Sequence, residues 1–260
     1  MDNYIDQLFN LKNKTVVIIG AGGHLCSEIS IGFAKANCQL VLLDIRPKKL
    51  EIIRKNIQKK IKKEILTYKI DATKKNEHIK VIKLILKKLK SVDILVNGAG
   101  INDASPFFDI KNNKWNEVID SQLTATLFGC QIFGRHMVDN RKGSIINISS
   151  ASAGPPLSKA FAYSAAKSGI KNLTQNLGRE WGTSGVRVNA LRPGFFPTEW
   201  NKKNFIDAKR KKSILTHTPM NRFGKPNELI GATLWLASDA SKFVTGTEIK
   251  VDGGFSCMTI

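Results

Sequence analysis

Val16-Val17-Ile18-Ile19-Gly20-Ala21-Gly22-Gly23 is a short apolar β-type run that ends in a glycine turn. A helical pattern follows it to about Ala36. Leu40-Val41-Leu42-Leu43 is then a second buried strand, stopped by Asp44. The same alternation continues outward from this unit. Helical spacing covers about Lys48 to Lys60, Asn76 to Leu89, Lys114 to Val138 and Phe161 to Trp181. Between these lie the apolar runs Ile65-Leu66-Thr67-Tyr68, Ile94-Leu95-Val96, Ser144 to Ile148 and Val186 to Ala190, with Glu248-Ile249-Lys250-Val251 as the last strand. Apolar strands between amphipathic helices imply a doubly wound α/β fold, with a parallel sheet of about seven strands covered by helices on both faces. No linker, repeat or low-complexity tract interrupts residues 1–260, so one domain is expected. Residues 195–222 break the regularity with Pro197, Pro219 and the cluster Lys209-Arg210-Lys211-Lys212. An insertion after a late strand lies over the strand ends, where ligands bind, so this segment reads as a substrate lid.

The chain carries 41 Lys+Arg against 21 Asp+Glu, a formal charge of +20. Seventeen of the cations and four of the acids fall between Arg46 and Lys90. There lysines alternate with isoleucine and leucine, as in Ile82-Lys83-Leu84-Ile85-Leu86-Lys87-Lys88. That is the pattern of a solvated helix face over a packed one. No aromatic interleaving offers bases a stacking platform, so a nucleic-acid partner is not expected. No apolar run approaches the ~20 residues of a membrane helix. The opening Met1-Asp2-Asn3-Tyr4-Ile5-Asp6 lacks the basic and apolar regions of a secretory signal. The four cysteines (26, 38, 130 and 257) show no C-x-x-C spacing. Reduced thiols and a cytoplasmic setting follow as expectations.

A glycine turn between the first strand and first helix lets backbone approach a pyrophosphate, which the helix N-terminus favours. Gly20, Gly22, Gly23, His24 and Leu25 are the candidate residues there. Asp44, closing the second strand, can accept the ribose hydroxyls of an adenosine half and would repel a 2′-phosphate, which favours NAD over NADP. Arg46, two residues on, can soften that preference. Downstream, Ser150 follows the fifth strand, and Tyr163-Ser164-Ala165-Ala166-Lys167 sets a phenol and an ammonium four apart on one helix face. A phenol with a pKa of about 10 shuttles protons poorly until a cation lowers it. Ser150, arriving from a strand end, can hold a substrate oxygen near that phenol. No metal-ligand cluster is expected.

With these residues in place, the chain resembles the classical short-chain dehydrogenase/reductase family over nearly its whole length. Asp71-Ala72, Asn97-Gly98-Ala99-Gly100, Pro193-Gly194-Phe195-Phe196-Pro197-Thr198 and Val251-Asp252-Gly253-Gly254 complete the likeness. The resemblance implies a Rossmann-type fold and hydride transfer between a nicotinamide dinucleotide and a carbinol or carbonyl. It makes Tyr163 the general acid/base, Lys167 its activator and nicotinamide-ribose ligand, and Ser150 the ligand of the substrate oxygen. Asp71 and Ala72 would line the adenine, and Asn97, Gly98, Ala99 and Gly100 would flank the adenosine ribose. Pro193, Gly194, Phe196 and Thr198 would hold the carboxamide and pyrophosphate. Three positions depart from the family pattern. His24 and Cys26 stand where the second and third turn glycines are usual. Gln122, in Asp120-Ser121-Gln122-Leu123, replaces an asparagine that helps hold a relay water. Gly98 replaces the second asparagine of Asn-Asn-Ala-Gly.

Within the family, Gly194-Phe195-Phe196-Pro197-Thr198-Glu199, His217 to Gly224 and the turn at Leu25-Cys26 resemble sugar-acid and polyol oxidoreductases of the mannonate and gluconate type. Asn102, Arg192, Asn201, Lys202, His217 and Arg222 are candidate partners for substrate hydroxyls and a carboxylate, with at most two expected to serve. Phe107, Phe108, Phe195 and Phe196 read as packing. A 3-oxoacyl-thioester reductase is the alternative on the same fold; it would use an apolar channel and NADPH. A dinucleotide-binding interaction subunit with a weakened site is the alternative of another class. The family also implies a homo-oligomer, a tetramer or dimer, packed through the two long helices and the segment ending at Ile260.

Overall fold

The structure is a computed structural model that describes residues 3–59, 61–198 and 206–258. Seven parallel strands form one sheet: β1 (Thr15–Ile19), β2 (Gln39–Asp44), β3 (Ile65–Lys69), β4 (Ile94–Asn97), β5 (Gly143–Ile148), β6 (Val186–Pro193) and β7 (Glu248–Val251). Their order across the sheet is 3-2-1-4-5-6-7, so the order of winding reverses between β1 and β4 while all strands stay parallel. Ligands bind at such a switch point, outside the carboxyl ends of the strands. The helices are α1 (Tyr4–Leu8), α2 (His24–Lys35), α3 (Pro47–Gln58), α4 (Lys75–Leu89), α5 (Asn112–Ile119), α6 (Ala125–Asp139), α7 (Phe161–Trp181), α8 (Ala208–Thr216) and α9 (Ile230–Ala237).

Side chains alternate across a strand, and here both faces are apolar. Val16, Ile18, Leu40, Leu42, Ile94 and Val96 face Ile29 and Phe33 of α2, Leu50 and Ile53 of α3, and Leu236 of α9. Val17, Ile19, Val41, Leu43, Leu95 and Ile145 face Val81 and Ile85 of α4 and Phe133 and Met137 of α6. The lysine-rich stretch behaves as its period requires. Leu50, Ile53 and Ile57 of α3 and Val81, Ile82 and Ile85 of α4 are buried, while Lys83, Lys87 and Lys88 are exposed.

Three departures from the sequence reading bear on the site. The region expected as one helix from Lys114 to Val138 is two helices joined by a π-turn, Asp120–Thr124, with Gln122 inside it. Strand β6 runs on to Pro193, which pairs with Val251 of β7. Helix α9, absent from the sequence reading, is apolar on nearly every side and carries no two-faced pattern to detect. Among the described residues, no helix is long and apolar enough to cross a membrane.

Candidate active site

Strand β1 delivers the glycine turn to the carboxyl edge of the sheet. Gly20 has φ +80°, and a Cβ there would lie 2.5 Å from the backbone nitrogen of Ala99, so only glycine fits. At Gly22 a Cβ would meet the Asp44 carboxylate at 2.7 Å, so a side chain there must displace that carboxylate. Gly23 caps α2 without any side-chain hydrogen bond. The first N–H groups of the helix therefore face the turn with no side-chain cap, the arrangement that receives a phosphate. A dinucleotide fits this cradle: backbone can come close, and the helix end offers donors.

Asp44 closes β2 and is 4% exposed. Its Oδ2 accepts from the Gly22 N–H at 2.8 Å. Its Oδ1 accepts from the Arg46 backbone N–H and from Arg46 Nε, both at 2.9 Å. The carboxylate thus ties the glycine turn to β2 and holds the Arg46 guanidinium beside it. That pairing raises the Arg46 pKa. Asp71 lies after β3, where Oδ1 accepts from the Thr73 N–H and hydroxyl at 2.9 and 2.7 Å. The Ala72 carbonyl is 2.9 Å from His78 Nε2.

Asn97 turns inward. Its Nδ2 donates to Asn147 Oδ1 at 2.9 Å, and Asn147 Nδ2 donates to Thr174 of α7 at 3.0 Å. The side chain expected to flank a ribose is therefore a tie through β4 and β5 to the helix that carries Tyr163. Any contact of this segment with a ligand falls to Gly98 and Gly100, which line the cavity.

Two of the family departures prove to be one. Cys26 Sγ occupies the space beside Gly98, where a Cβ would come within 2.3 Å of the sulfur. A thiol where the family has glycine thus fills the room left by a glycine where the family has asparagine. Burial pushes the Cys26 thiol up to about 12, so it is neutral at pH 7. Gly98→Asn alone should lower stability by about 2 kcal/mol through overpacking. Adding Cys26→Gly should recover more than the two single effects predict. A denaturant-melt double-mutant cycle measures that coupling, and strict additivity would refute the pairing.

Ser150 leaves β5 extended and caps a short helical turn, Ala151–Ala153. Tyr163 and Lys167 rise from the first turns of α7. The Lys167 ammonium lies 5.4 Å from the Tyr163 ring centroid. It donates to the Ile148 carbonyl at 2.5 Å. Burial lowers Lys167 to about 7. Cys26, being neutral, lends it no countercharge. Burial raises the Tyr163 phenol, and a hydrogen bond with Ser150 opposes that rise. All three side chains line one cavity of about 490 Å³ with Gly23, His24, Leu25, Gly98, Gly100, Gln122, Gly194, Phe196 and Thr198. Pro193, the last residue of β6, is not among the residues that line it. Gln122 Nε2 donates to the Ile101 carbonyl at 2.9 Å, while its buried Oε1 has no partner among the described residues.

The substrate candidates sort differently. Asn102 lines this cavity. Arg192 does not reach it as a ligand: it is 4% exposed, and its Nη1 donates to Glu248 at 2.9 Å. Arg192 Nη2 donates to the Ala151 carbonyl at 3.1 Å, and the Ser149 hydroxyl donates to Glu248 at 2.6 Å. The pair brackets the two neighbours of Ser150. Arg222 is paired with Glu228 at 2.6 Å and lines a separate cavity. His217 packs edge-on against Phe255. Asn201, Lys202 and Glu199 lie outside the described residues. Phe195 packs on Phe255 and Phe196 lines the cavity. Phe107 and Phe108, expected as packing, are 60% and 97% exposed.

A family model described as enoyl-(acyl carrier protein) reductase matches residues 23–256. The chain is 33% identical to 5-keto-D-gluconate 5-reductase of Escherichia coli (strain K12), over 96% of this chain and 98% of the relative. It is 29% identical to gluconate 5-dehydrogenase of Gluconobacter oxydans (strain 621H), over 96% and 97%. A crystal structure of a gluconate 5-dehydrogenase from Burkholderia cenocepacia J2315, in complex with NADP and tartrate, superposes with a TM-score of 0.93. That structure is 28% identical, over 98% of this chain and 100% of the other. With matches along its whole length and a serine, tyrosine and lysine gathered over a glycine cradle, the chain belongs to the short-chain dehydrogenase/reductase family of oxidoreductases.

Proposed function

We propose that this oxidoreductase interconverts a carbinol and a carbonyl on a polyhydroxylated substrate, a sugar acid or polyol, with NAD(H). The observation that carries the reading is the convergence of Ser150, Tyr163 and Lys167 on the cavity that also takes in Gly23, the end of the glycine turn, and His24 and Leu25 at the start of α2. A bound nicotinamide supplies the hydride acceptor or donor. Tyr163 passes the accompanying proton to or from the substrate oxygen, and the Ser150 hydroxyl donates a hydrogen bond to that oxygen. Burial disfavours the phenolate and the ammonium alike. Side by side they stabilise each other, which is what lets the phenol give up its proton. One Lys167 N–H is held by Ile148, leaving two for the hydroxyls of a nicotinamide ribose. The unpartnered Gln122 Oε1 is the acceptor for a relay water, in a π-turn of the kind found at functional sites.

Asp44 supports NAD, its carboxylate standing at the end of β2 where adenosine hydroxyls arrive. Arg46 supports a second reading, NADP, because its half-exposed guanidinium stands ready for a phosphate. Asp44→Ala also frees Gly22, so both dinucleotides should bind more weakly, but the Kd for NAD should rise about tenfold or more beyond that for NADP. Arg46→Ala should do the reverse if NADP is the partner. Fluorescence titration with both dinucleotides decides between them, and equal losses for both would refute the role of Asp44.

The described part of residues 195–222, including α8, borders the cavity through Phe195, Ile206 and Arg210 and suits the role of a lid. A homo-oligomer, a tetramer or dimer, is part of the proposal. The exposed cluster of Phe107, Phe108 and Phe161 beside α5 and α7 supports it. A cytoplasmic setting completes the reading. Cations on the cavity wall suit a polar, anionic substrate better than an acyl chain.

A further inference from the structure

The cavity that holds Ser150, Tyr163 and Lys167 has a second, basic side. Lys159 and Arg210 both line it, and among the described residues lining it there is no aspartate or glutamate. Neither cation was a candidate from the sequence. They come from different elements: Lys159 from the loop before α7, Arg210 from the first turn of α8. Arg210 is anchored to that loop. Its Nη1 donates to the Ser158 hydroxyl and its Nη2 to the Ser158 carbonyl, each at 3.2 Å. The anchor sets a guanidinium against the residue next to Lys159. Two of its five N–H groups are spent there, which leaves a fork for a planar anion. Lys159 has φ +56°, in the left-handed region that side chains rarely adopt. Among the described residues it forms no ion pair, in contrast to Arg222, which Glu228 neutralises. The other lysines of the cluster on α8, Lys209, Lys211 and Lys212, are exposed and do not line the cavity.

We propose that Lys159 and Arg210 form a clamp for the substrate's carboxylate, opposite the reacting carbon. The inference rests on the sugar-acid reading above and deepens it. The cations fix which end of a long polyhydroxylated chain faces away from Tyr163. They thereby select which hydroxyl-bearing carbon meets the nicotinamide.

The test compares a keto sugar acid with a neutral keto-polyol of the same chain length, in wild type, Lys159→Gln, Arg210→Gln and Lys211→Gln. Tartrate serves in parallel as a competitive inhibitor of whichever substrate turns over. The clamp predicts that Lys159→Gln and Arg210→Gln each raise KM for the acid about 10- to 100-fold more than for the neutral analogue. Both should weaken tartrate inhibition by a similar factor, and Lys211→Gln should change neither. NADH binding, followed by fluorescence, reports whether the variants keep a folded cofactor site. If wild type prefers the acid but the variants preserve that preference, the clamp is wrong and the sugar-acid reading stands. If wild type turns over only neutral compounds, the sugar-acid reading fails. The clamp then survives only if tartrate still inhibits and Lys159→Gln abolishes the inhibition. Tartrate that fails to inhibit the wild type overturns the clamp.

Discussion

Lys167→Met should abolish turnover and make the fold more stable. Lys167 is 4% exposed, and burial moves it from 10.5 to about 7. Holding it there costs the fold roughly 4 kcal/mol at pH 7. Methionine removes that cost but leaves the Ile148 carbonyl without its donor, about 1 kcal/mol in the other direction. A net gain of roughly 3 kcal/mol follows, visible in denaturant melts. The pH dependence carries a signature. The unfolded lysine binds a proton up to 10.5 and the folded one releases it near 7, so unfolding takes up protons and stability rises with pH above 7. Above about 9 the buried thiols, pushed up to about 12, act in the opposite sense. The clean window is therefore pH 7 to 9. Wild type should gain stability across it and Lys167→Met should gain less. A variant that is less stable than wild type with an unchanged slope would contradict this. A buried amine whose removal strengthens the fold is one kept for chemistry.

Arg192→Met should have the opposite character. Its partner Glu248 is buried with it, the two side chains being 5% and 9% exposed. Removing one member of a buried ion pair leaves an uncompensated charge and costs about 3–5 kcal/mol. Arg192→Met/Glu248→Leu should recover most of that loss, because two apolar groups of similar shape replace the pair. Turnover should stay low in the double variant. Ser149 and the Ala151 carbonyl lose their partners on either side of Ser150, so the backbone that aims its hydroxyl is no longer fixed. The exposed pair Arg54–Glu51 gives the contrast, and Arg54→Ala should leave the melt almost unchanged. Melts of the four proteins, with kcat and KM for each, check the whole set. Full activity in the double variant would show that the bracket does not position Ser150.

The sheet was legible because both of its faces are apolar. Runs such as Val16 to Ile19 and Leu40 to Leu43 admit no other use when glycine and aspartate stop them. The glycine turn and the four-residue spacing of Tyr163 and Lys167 were legible for the same reason, each being a local rule. What stayed hidden depends on distant pieces meeting. Arg192 looked like a substrate ligand, since nothing near it announces Glu248, 56 residues on. Asn97 reads as a loop residue until Asn147 is seen beside it. Cys26 and Gly98 read as two blemishes, and only their contact makes them one exchange of volume. Arg210 had a faint signal in the basic cluster of residues 209–212, and Lys159 had none. Only the placement of α8 shows that a single member of it faces inward.

The central claim is that the Tyr163 phenol moves the proton while hydride crosses to or from a nicotinamide. NADH consumption with keto sugar acids, in wild type and Tyr163→Phe, tests it most directly when NADH affinity is measured alongside. The account predicts turnover by wild type, a loss of about a hundredfold or more in kcat for the variant, and the same Kd for NADH in both. A variant that binds NADH normally and turns over at the wild-type rate would contradict it.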